Sequence, residues 1–166
     1  AVWNTGASTT SNQIASEYYT EERGTINGKI CSSGTYCNDT VERTTTWTGK
    51  VGLMYPSDYG YATSGNSTTD RATCLAKEMY RWGGSDVSDC KNNDYLFKSN
   101  YIQWTLTPFS SSFDLAFHVH SAGSVGDYYI VSGAHAVRPA AFLKSNISIT
   151  NVGIGTVESP FQLKVG

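Results

Sequence analysis

The chain has 166 residues, a length that suits one domain, and 12 basic and 14 acidic side chains give it a formal net charge of −2. It has no run of Lys and Arg of the kind that binds nucleic acid or an anionic membrane surface. No stretch approaches the roughly 20 consecutive apolar residues of a membrane span. We therefore expect neither nucleic acid as a partner nor direct insertion of this domain into a membrane.

The composition and the cysteines indicate an extracellular protein. Charged residues make up 16% of the chain, against about 25% in an average soluble protein. The even number of cysteines allows three pairings, and the favoured one is local: Cys31 with Cys37, and Cys74 with Cys90. A structural zinc site is the alternative, although the spacing lacks the paired C-x2-C of zinc ribbons. The start at Ala1 indicates a removed leader or a domain excised from a longer protein.

The first half of the chain is predicted to be mixed in structure. Residues 1–16 are small and polar, so we expect a loosely ordered lead-in before a single domain over 17–166. The aromatics in 17–26 and the run 47–55 indicate strands. Residues 56–60 (PSDYG) have the composition of a turn.

One main helix is predicted near 69–82. Thr68 or Thr69 is the expected N-cap, and Asp70 falls in the first turn, where the helix dipole favours a negative charge. Four apolar side chains fall at helical spacing on one face: Ala72, Leu75, Met79 and Trp82.

The second half is predicted to consist of strands and turns. Residues 103–107 and 117–120 alternate between apolar and polar side chains, which is typical of half-buried strands. Further strands are expected at 128–131 and 136–143, followed by a closing hairpin at the C-terminal end. A helix-bearing first half before a β-rich second half predicts an α+β fold.

A series of motifs follows one another in a fixed order along the chain. They are residues 47–62 (WTGKVGLMYPSDYGYA), Cys74, Cys90, Asn93-Asp94, residues 103–108 (QWTLTP), Ala116-Phe117-x-Val119-x-x-x-Gly123, residues 136–140 (AVRPA) and residues 143–145 (LKS). In this order and spacing they resemble a family of bacterial and phage surface domains. The resemblance covers roughly residues 45–163, and many members of that family are uncharacterised bacterial proteins.

The Trp…Val-Arg-Pro pattern is also similar to the C-type lectin-like fold of formylglycine-generating-enzyme type. The variable proteins of diversity-generating retroelements, including phage tropism determinants and surface adhesins, use that fold. The resemblance implies a compact scaffold, here stapled by two disulfides, that displays changeable residues to a partner. The catalytic cysteine pair of the enzymes has no counterpart, because all four cysteines are assigned to staples, so the resemblance does not carry that activity over to this chain. We expect a binding domain and not an enzyme.

The candidate ligand-binding surface is the hairpin region 109–135. Tyr and His combine a large contact area with a polar tip, and Ser adapts its hydrogen bonding, which suits recognition of a protein or a glycan. The alternative is that these side chains lie on a solvent-exposed hairpin and bind no ligand. The residues expected to contact a ligand are Phe109, Phe113, His118, His120, Asp127, Tyr128, Tyr129 and His135.

The pair of His118 and His120 is also a weak indication of a metal site. Residues two apart on a strand point to the same face, so both imidazoles could reach one ion, with Asp127 or His135 as a third ligand. No His-Glu-x-x-His motif supports this, and surface histidines are the favoured interpretation. The acidic and amide side chains of 86–94 resemble calcium ligands, but turns and capping explain them. We therefore expect no metal and no cofactor.

Four further residues are predicted to be structural. Arg138 lies in an apolar run and must be paired there, with Asp58 or Asp94 as the candidate carboxylate. Three tryptophans are expected in the core: Trp47, Trp82 and Trp104.

These features together favour an extracellular, adhesin-like ligand-binding domain over an enzyme. A metal-dependent hydrolase that uses His118 and His120 is the first alternative. The second is a purely structural tip module of a pilus or fibre, which would have no pocket of its own.

Overall fold

The computed structural model of the chain describes residues 1–4, 10–23, 46–93, 96–109, 112, 114–156 and 158–166. Within these ranges the helices are α1 (Ala15–Arg23), α2 (Pro56–Tyr61) and α3 (Arg71–Leu75), with 3₁₀ helices at Met79–Arg81 and Ser85–Lys91. The strands are β1 (Val2–Asn4), β2 (Thr46–Thr48), β3 (Gly52–Leu53), β4 (Gln103–Pro108), β5 (Leu115–Val119), β6 (Val125–Ile130), β7 (Ala136–Val137), β8 (Pro139–Ala140), β9 (Ile147–Ile149) and β10 (Leu163–Val165). The α+β class predicted from the sequence is confirmed.

A four-stranded sheet with the order β6-β5-β4-β7 forms the centre of the second half. β5 pairs antiparallel with both β4 and β6, whereas β7 runs parallel to β4 with Gln103 opposite Ala136. Three further sheets have two strands each, formed by β1 with β2, β3 with β8, and β9 with β10. None of the helices in the described ranges has the length and apolar character to cross a membrane.

Helix α1 replaces the strand that the sequence predicted at 17–26, so that prediction is wrong for the described residues. Ala15, Tyr18 and Glu22 form one buried face of this helix, at the spacing of successive helical turns. The Glu17 carboxylate accepts a hydrogen bond from the backbone N–H of Ile14 (2.9 Å) and so caps the helix start. The buried stripe contains a charged residue, which is why its apolar pattern is hard to detect.

Residues 56–60, predicted as a turn, lie in helix α2. Pro56 occupies the start of the helix, where a missing N–H costs nothing. The Asp58 carboxylate accepts a hydrogen bond from the backbone N–H of Tyr55 (2.9 Å), as in a capping box. A proline followed two residues later by an aspartate therefore begins a helix here.

The single helix predicted near 69–82 is wrong, because the segment divides into α3 and a 3₁₀ turn. Asp70 is the N-cap, not one of the two preceding threonines: its carboxylate accepts from the Thr73 N–H at 2.7 Å. The Met79 N–H donates to the carbonyl of Gln13 (2.8 Å), not to a carbonyl of its own segment. This contact with the chain before α1 replaces a helical hydrogen bond and ends the helix early.

One of the two expected disulfides is present in the described chain. Cys74 and Cys90 are bonded with an S–S distance of 2.09 Å, which joins α3 to the 3₁₀ helix Ser85–Lys91. The other expected pair, Cys31 with Cys37, lies outside the described residues.

The buried core combines side chains from α1, α2, α3, the two 3₁₀ helices and strands β5 and β6. Trp82 is fully buried, as predicted, and packs beside Tyr59 at 5.6 Å between ring centroids. Trp47 is 47% exposed, so its assignment to the core is wrong. It lies on β2, which pairs with β1 in a two-stranded sheet outside the central sheet. Trp104 is half-buried.

Strand β4 buries its polar face, which reverses the prediction that Trp104 points into the core. Gln103, Thr105 and Thr107 are buried, whereas the alternating apolar side chains are half-buried. Each buried polar group has a partner, as burial requires. The Thr105 hydroxyl donates to the carbonyl of Phe117 at 2.7 Å.

Arg138 pairs with an amide and not with the expected carboxylate of Asp58. Its Nε donates to Oε1 of Gln103 at 2.7 Å, and the Gln103 amide donates in turn to the carbonyl of Leu96 at 3.1 Å. The alternative partner, Asp94, lies outside the described residues. Arg138 is half-buried, and the acceptor of its Nε–H is a neutral amide, which carries no desolvation cost of a second charge.

Candidate functional site

A cleft of about 400 Å³ opens beside the turn between β5 and β6. The segment before α1 and the 3₁₀ helix Met79–Arg81 form its other walls. We call it the histidine cleft. It is lined by Ser11, Asn12, Tyr80, His118, His120, Ser124, Val125 and Gly126.

The turn between β5 and β6 is held in one shape by backbone hydrogen bonds. The His120 N–H donates to the Ser124 carbonyl, and the Gly123 N–H donates to the His120 carbonyl, each at 2.8 Å. Gly123 has φ +99°, a conformation that side-chain-bearing residues rarely adopt. Its carbonyl accepts a hydrogen bond from the buried Tyr59 hydroxyl at 2.8 Å. The turn is thereby fixed to helix α2.

His120 lies at the mouth of the cleft in a defined tautomer. Its Nδ1 accepts a hydrogen bond from the backbone N–H of Ala122 at 3.1 Å. A nitrogen that accepts in this way carries a lone pair, so in the neutral ring the proton resides on Nε2. The half-buried imidazole can therefore present an N–H donor to a ligand.

His118 is the buried floor of the cleft and is neutral at physiological pH. It is 2% exposed, and burial, followed by the nearby charges of His120 and His135, lowers its pKa to about 4. Gly126 lies opposite on β6, where an added Cβ would be 3.1 Å from the ring carbon Cε1 of His118. A glycine at this position therefore makes room for the ring.

Four rings form a row that leads from the cleft along the sheet. The centroid of His118 lies 6.2 Å from that of His120 and 6.4 Å from that of Trp104. Trp104 in turn lies 4.8 Å from His135. The Trp104 indole donates to the carbonyl of Gly133 at 3.4 Å, which ties the row to the loop before β7. All contacts in the row are edge-on, the arrangement that aromatic rings prefer.

The structure brings three of the eight predicted contact residues together. His118 and His120 both line the cleft, and His135 is joined to them through Trp104. Phe109 instead packs edge-on against Phe117 at the border of the core, 5.7 Å between ring centroids. The other four lie outside what is described, Phe113 as a whole and Asp127, Tyr128 and Tyr129 in their side chains, although the backbone of the last three belongs to β6.

Six of the eight lining residues were not among the predicted contact residues: Ser11, Asn12, Tyr80, Ser124, Val125 and Gly126. The last three fall within the predicted region 109–135. Tyr80 is 41% exposed. Its exposure could have been predicted, because Tyr80 follows Met79 and is not part of the apolar face to which Met79 was assigned. Ser11 and Asn12 carry no comparable signal. They reach the cleft because the Met79 N–H bonds the carbonyl of Gln13, a contact between distant parts of the chain.

The described residues do not assemble a metal centre. Within them, no group of three or more His, Cys, Asp or Glu side chains is placed to hold an ion. In the acidic loop, the Asp89 carboxylate accepts the backbone N–H groups of Thr68 and Thr69 at 3.1 and 3.2 Å. The sequence allowed two interpretations of these acidic residues, capping of backbone N–H groups and calcium binding. The Asp89 carboxylate caps backbone N–H groups.

The side chains that line the cleft offer polar groups without a permanent charge. Among the described residues that line it, none is an acid, a lysine or an arginine. Hydroxyl, amide and imidazole groups provide donors and acceptors, and Tyr80 provides an aromatic surface. Such a lining can orient a hydroxyl-rich or amide-rich ligand by hydrogen bonds and contact area, without ion pairing.

No protein-family model matches this chain, and no curated protein and no solved structure matches it either.

Proposed function

We propose that the chain is an extracellular, adhesin-like ligand-binding domain of a bacterial or phage surface protein, and that the histidine cleft is its binding site. The observation that carries this proposal is a cleft of about 400 Å³ whose lining is polar, uncharged in character and partly aromatic. Concave sites with a few convergent polar groups are the usual form of a binding site.

The rigidity of the cleft supports a role in recognition. Its turn is held by the Tyr59 hydroxyl, and the Cys74–Cys90 bond braces the segment that carries Tyr80. A site that is ordered before its ligand arrives loses less conformational entropy on binding. A tip module with a purely structural role has no need of such a cleft.

The chemistry of the lining favours a glycan or a polar protein loop as the ligand. The Nε2–H of His120 is a donor, Ser11 and Asn12 can both donate and accept, and Tyr80 can pack against the apolar face of a sugar ring. A strongly anionic ligand is disfavoured, because the described part of the lining contains no lysine or arginine.

We further propose that this domain has the C-type lectin-like fold of formylglycine-generating-enzyme type and displays diversified residues from 109–135. The motif resemblance and the α+β architecture support this. Sequencing the same locus in sibling isolates tests it. Substitutions concentrated in 109–135 would support diversification, and substitutions spread evenly along the chain would contradict it.

The binding proposal is tested with the fluorescently labelled domain on a glycan array and on intact bacterial and mammalian cells. We expect saturable binding that Tyr80→Ala and His120→Ala each weaken at least tenfold. Tyr101→Ala is the matched control, because Tyr101 is 58% exposed and does not line the cleft. Absence of saturable binding, or equal binding by all three variants, would contradict the proposal.

A further inference from the structure

The turn between β5 and β6 contains a hydrogen bond whose acceptor a proton can remove. The backbone N–H of Ala122 donates to Nδ1 of His120 at 3.1 Å. Nδ1 can accept only while it carries a lone pair, because a protonated imidazole has an N–H group at both nitrogens. Protonation of His120 would therefore place two N–H groups against each other. The bond to Ala122 exists with the neutral ring and is lost with the charged one.

This bond fixes the direction in which His120 offers its other nitrogen to the cleft. Because the ring is held at Nδ1, the orientation of its Nε2–H donor is fixed as well. The remaining bonds of the turn join backbone atoms of His120, Gly123 and Ser124, and they do not depend on the proton. Protonation of the ring would thus release Nδ1 from Ala122 while the backbone of the turn keeps its hydrogen bonds.

The described surroundings of His120 do not compensate a positive charge. Among the described residues that line the cleft, none is an acid, and the other titratable side chains are Tyr80 and His118. Lys91 brings a positive charge to the same turn, since its ammonium donates to the carbonyl of Ala122 at 3.5 Å. An imidazolium at His120 would therefore join an existing cation, and like charges repel each other.

His118 stays neutral over the range in which histidines usually change their charge, about pH 5 to 8. Its side chain is 2% exposed, and burial, followed by the charges of His120 and His135, lowers its pKa to about 4. A charge on His120 makes a second charge on His118 still less favourable. Of the two histidines that line the cleft, His118 therefore supplies no charge in mild acid, which leaves His120.

We propose, on the basis of the binding function proposed for the histidine cleft, that His120 is its proton switch: the cleft binds ligand at neutral pH and releases it in mild acid. A ligand that covers the half-buried ring removes water from it, and loss of water disfavours the charged form. The bound state therefore holds the neutral ring. Because linkage is reciprocal, the affinity for the ligand falls as the pH falls. An anionic ligand would show the opposite dependence, because it would pair with the charged ring.

The variant His120→Asn provides the same turn without a titrating group. An asparagine side chain can accept the backbone N–H two positions further on, as in an Asx turn. Its carbonyl oxygen can therefore take the place of Nδ1 opposite Ala122, and its amide does not titrate. The absolute affinity of this variant can differ from that of the wild type. The quantity to compare is the ratio of affinities at two pH values.

The first measurement needs no ligand. Nitrogen NMR of the ¹⁵N-labelled full chain follows the ring nitrogens of His120 and the backbone amide of Ala122 from pH 7.5 to pH 5. We expect Nδ1 to change from an unprotonated to a protonated nitrogen, and the Ala122 amide signal to move along the same titration curve. In His120→Asn the Ala122 signal should stay in place. A His120 ring that remains neutral at pH 5, or an Ala122 signal that ignores its titration, would overturn the proposal.

The second measurement compares binding of the labelled domain to the glycan array and to intact cells at pH 7.5 and pH 5. We expect the wild-type affinity to fall about tenfold in acid, within the usual range of coupling between two binding events. The affinity of His120→Asn should change less than twofold. His135→Gln is the matched control, because His135 does not belong to the described lining, and it should keep the wild-type ratio.

The outcomes separate the switch from the binding site itself. Equal or tighter wild-type binding at pH 5, or a tenfold fall that His120→Asn retains, would overturn the switch and leave the binding site in place. Loss of the fold in acid would give the second of these results, because it would affect both proteins alike. Absence of binding at both pH values would contradict the proposed function as well as the switch.

Discussion

The Glu22 carboxylate accepts a hydrogen bond of 3.1 Å from the hydroxyl of Thr107, 85 positions further along the chain. It also accepts the backbone N–H of Ser57 at 3.4 Å. Glu22 is 1% exposed, so three elements, α1, α2 and β4, meet at one buried carboxylate. Buried acids are tolerated where hydrogen bonds replace the lost water, and this one ties the first half of the chain to the central sheet.

Replacing Thr107 with valine should destabilise the protein while preserving side-chain shape. The substitution removes a donor from a buried carboxylate, and we expect a loss of about 2 kcal/mol in the free energy of unfolding. Urea denaturation measures it. Thr48→Val, at an exposed strand position, is the control and should change stability little. Equal stability of both variants would show that the contact contributes nothing.

His118 should make the protein less stable in acid. Its pKa is about 4 in the folded protein, against about 6.5 in an unfolded chain. The unfolded state therefore binds more protons between these values, and stability falls as the pH decreases from 6.5 to 4. The shift corresponds to a loss of about 3 kcal/mol at pH 4 relative to pH 7.

The difference between wild type and His118→Gln isolates this contribution from the other titrating groups. Urea denaturation at pH 7, 5.5 and 4 should show a shallower dependence in the variant, because glutamine does not titrate. Parallel curves for the two proteins would mean that His118 titrates in the folded state as it does in the unfolded chain.

The Cys74–Cys90 bond should stabilise the protein mainly by restricting the unfolded chain. Its cysteines are 16 positions apart, and a loop of this length corresponds to roughly 3 kcal/mol. We expect the double variant Cys74→Ser/Cys90→Ser to lower the midpoint of urea unfolding accordingly. An unchanged midpoint in the double variant would contradict this account.

Added zinc should leave the melting temperature unchanged if the cleft binds an organic ligand and not a metal. A ligand that binds only the folded state raises the melting temperature with its concentration. We expect no such rise with one to ten equivalents of zinc. A rise that His120→Ala abolishes would instead favour the metal-dependent hydrolase.

The sequence predicted the strands of the second half better than the helices of the first. The alternation of apolar and polar side chains in residues 103–107 and 117–120 identified β4 and β5. A period of two predicts a strand whichever of its two faces is buried, so β4 was predicted although its buried face was not. Helix α1 was missed because one of its buried positions is Glu22. The early end of α3 depends on the bond from Met79 to Gln13, a tertiary contact that no local pattern contains.

Sequence reasoning found only part of the candidate site, because the rest is assembled by contacts between distant parts of the chain. His118 and His120 are two positions apart, so a local rule was enough to place them together. Ser11 and Asn12 reach the same cleft from more than a hundred positions away. Phenylalanine is common at binding sites, and Phe109 was therefore predicted to contact a ligand. It packs instead against Phe117 at the border of the core, a tertiary contact that the residue type does not reveal.

The polar inner face of β4 determines how that strand can align with its neighbours. A shift by one residue would turn Trp104 and Leu106 inward, which apolar packing alone would tolerate. The same shift would leave the Glu22 carboxylate and the Arg138 guanidinium without the groups that now meet them. Donors and acceptors, more than hydrophobicity, therefore select the alignment of the central sheet. Mutations that enlarge the apolar character of β4 should consequently produce proteins that remain compact but lose a unique strand pairing.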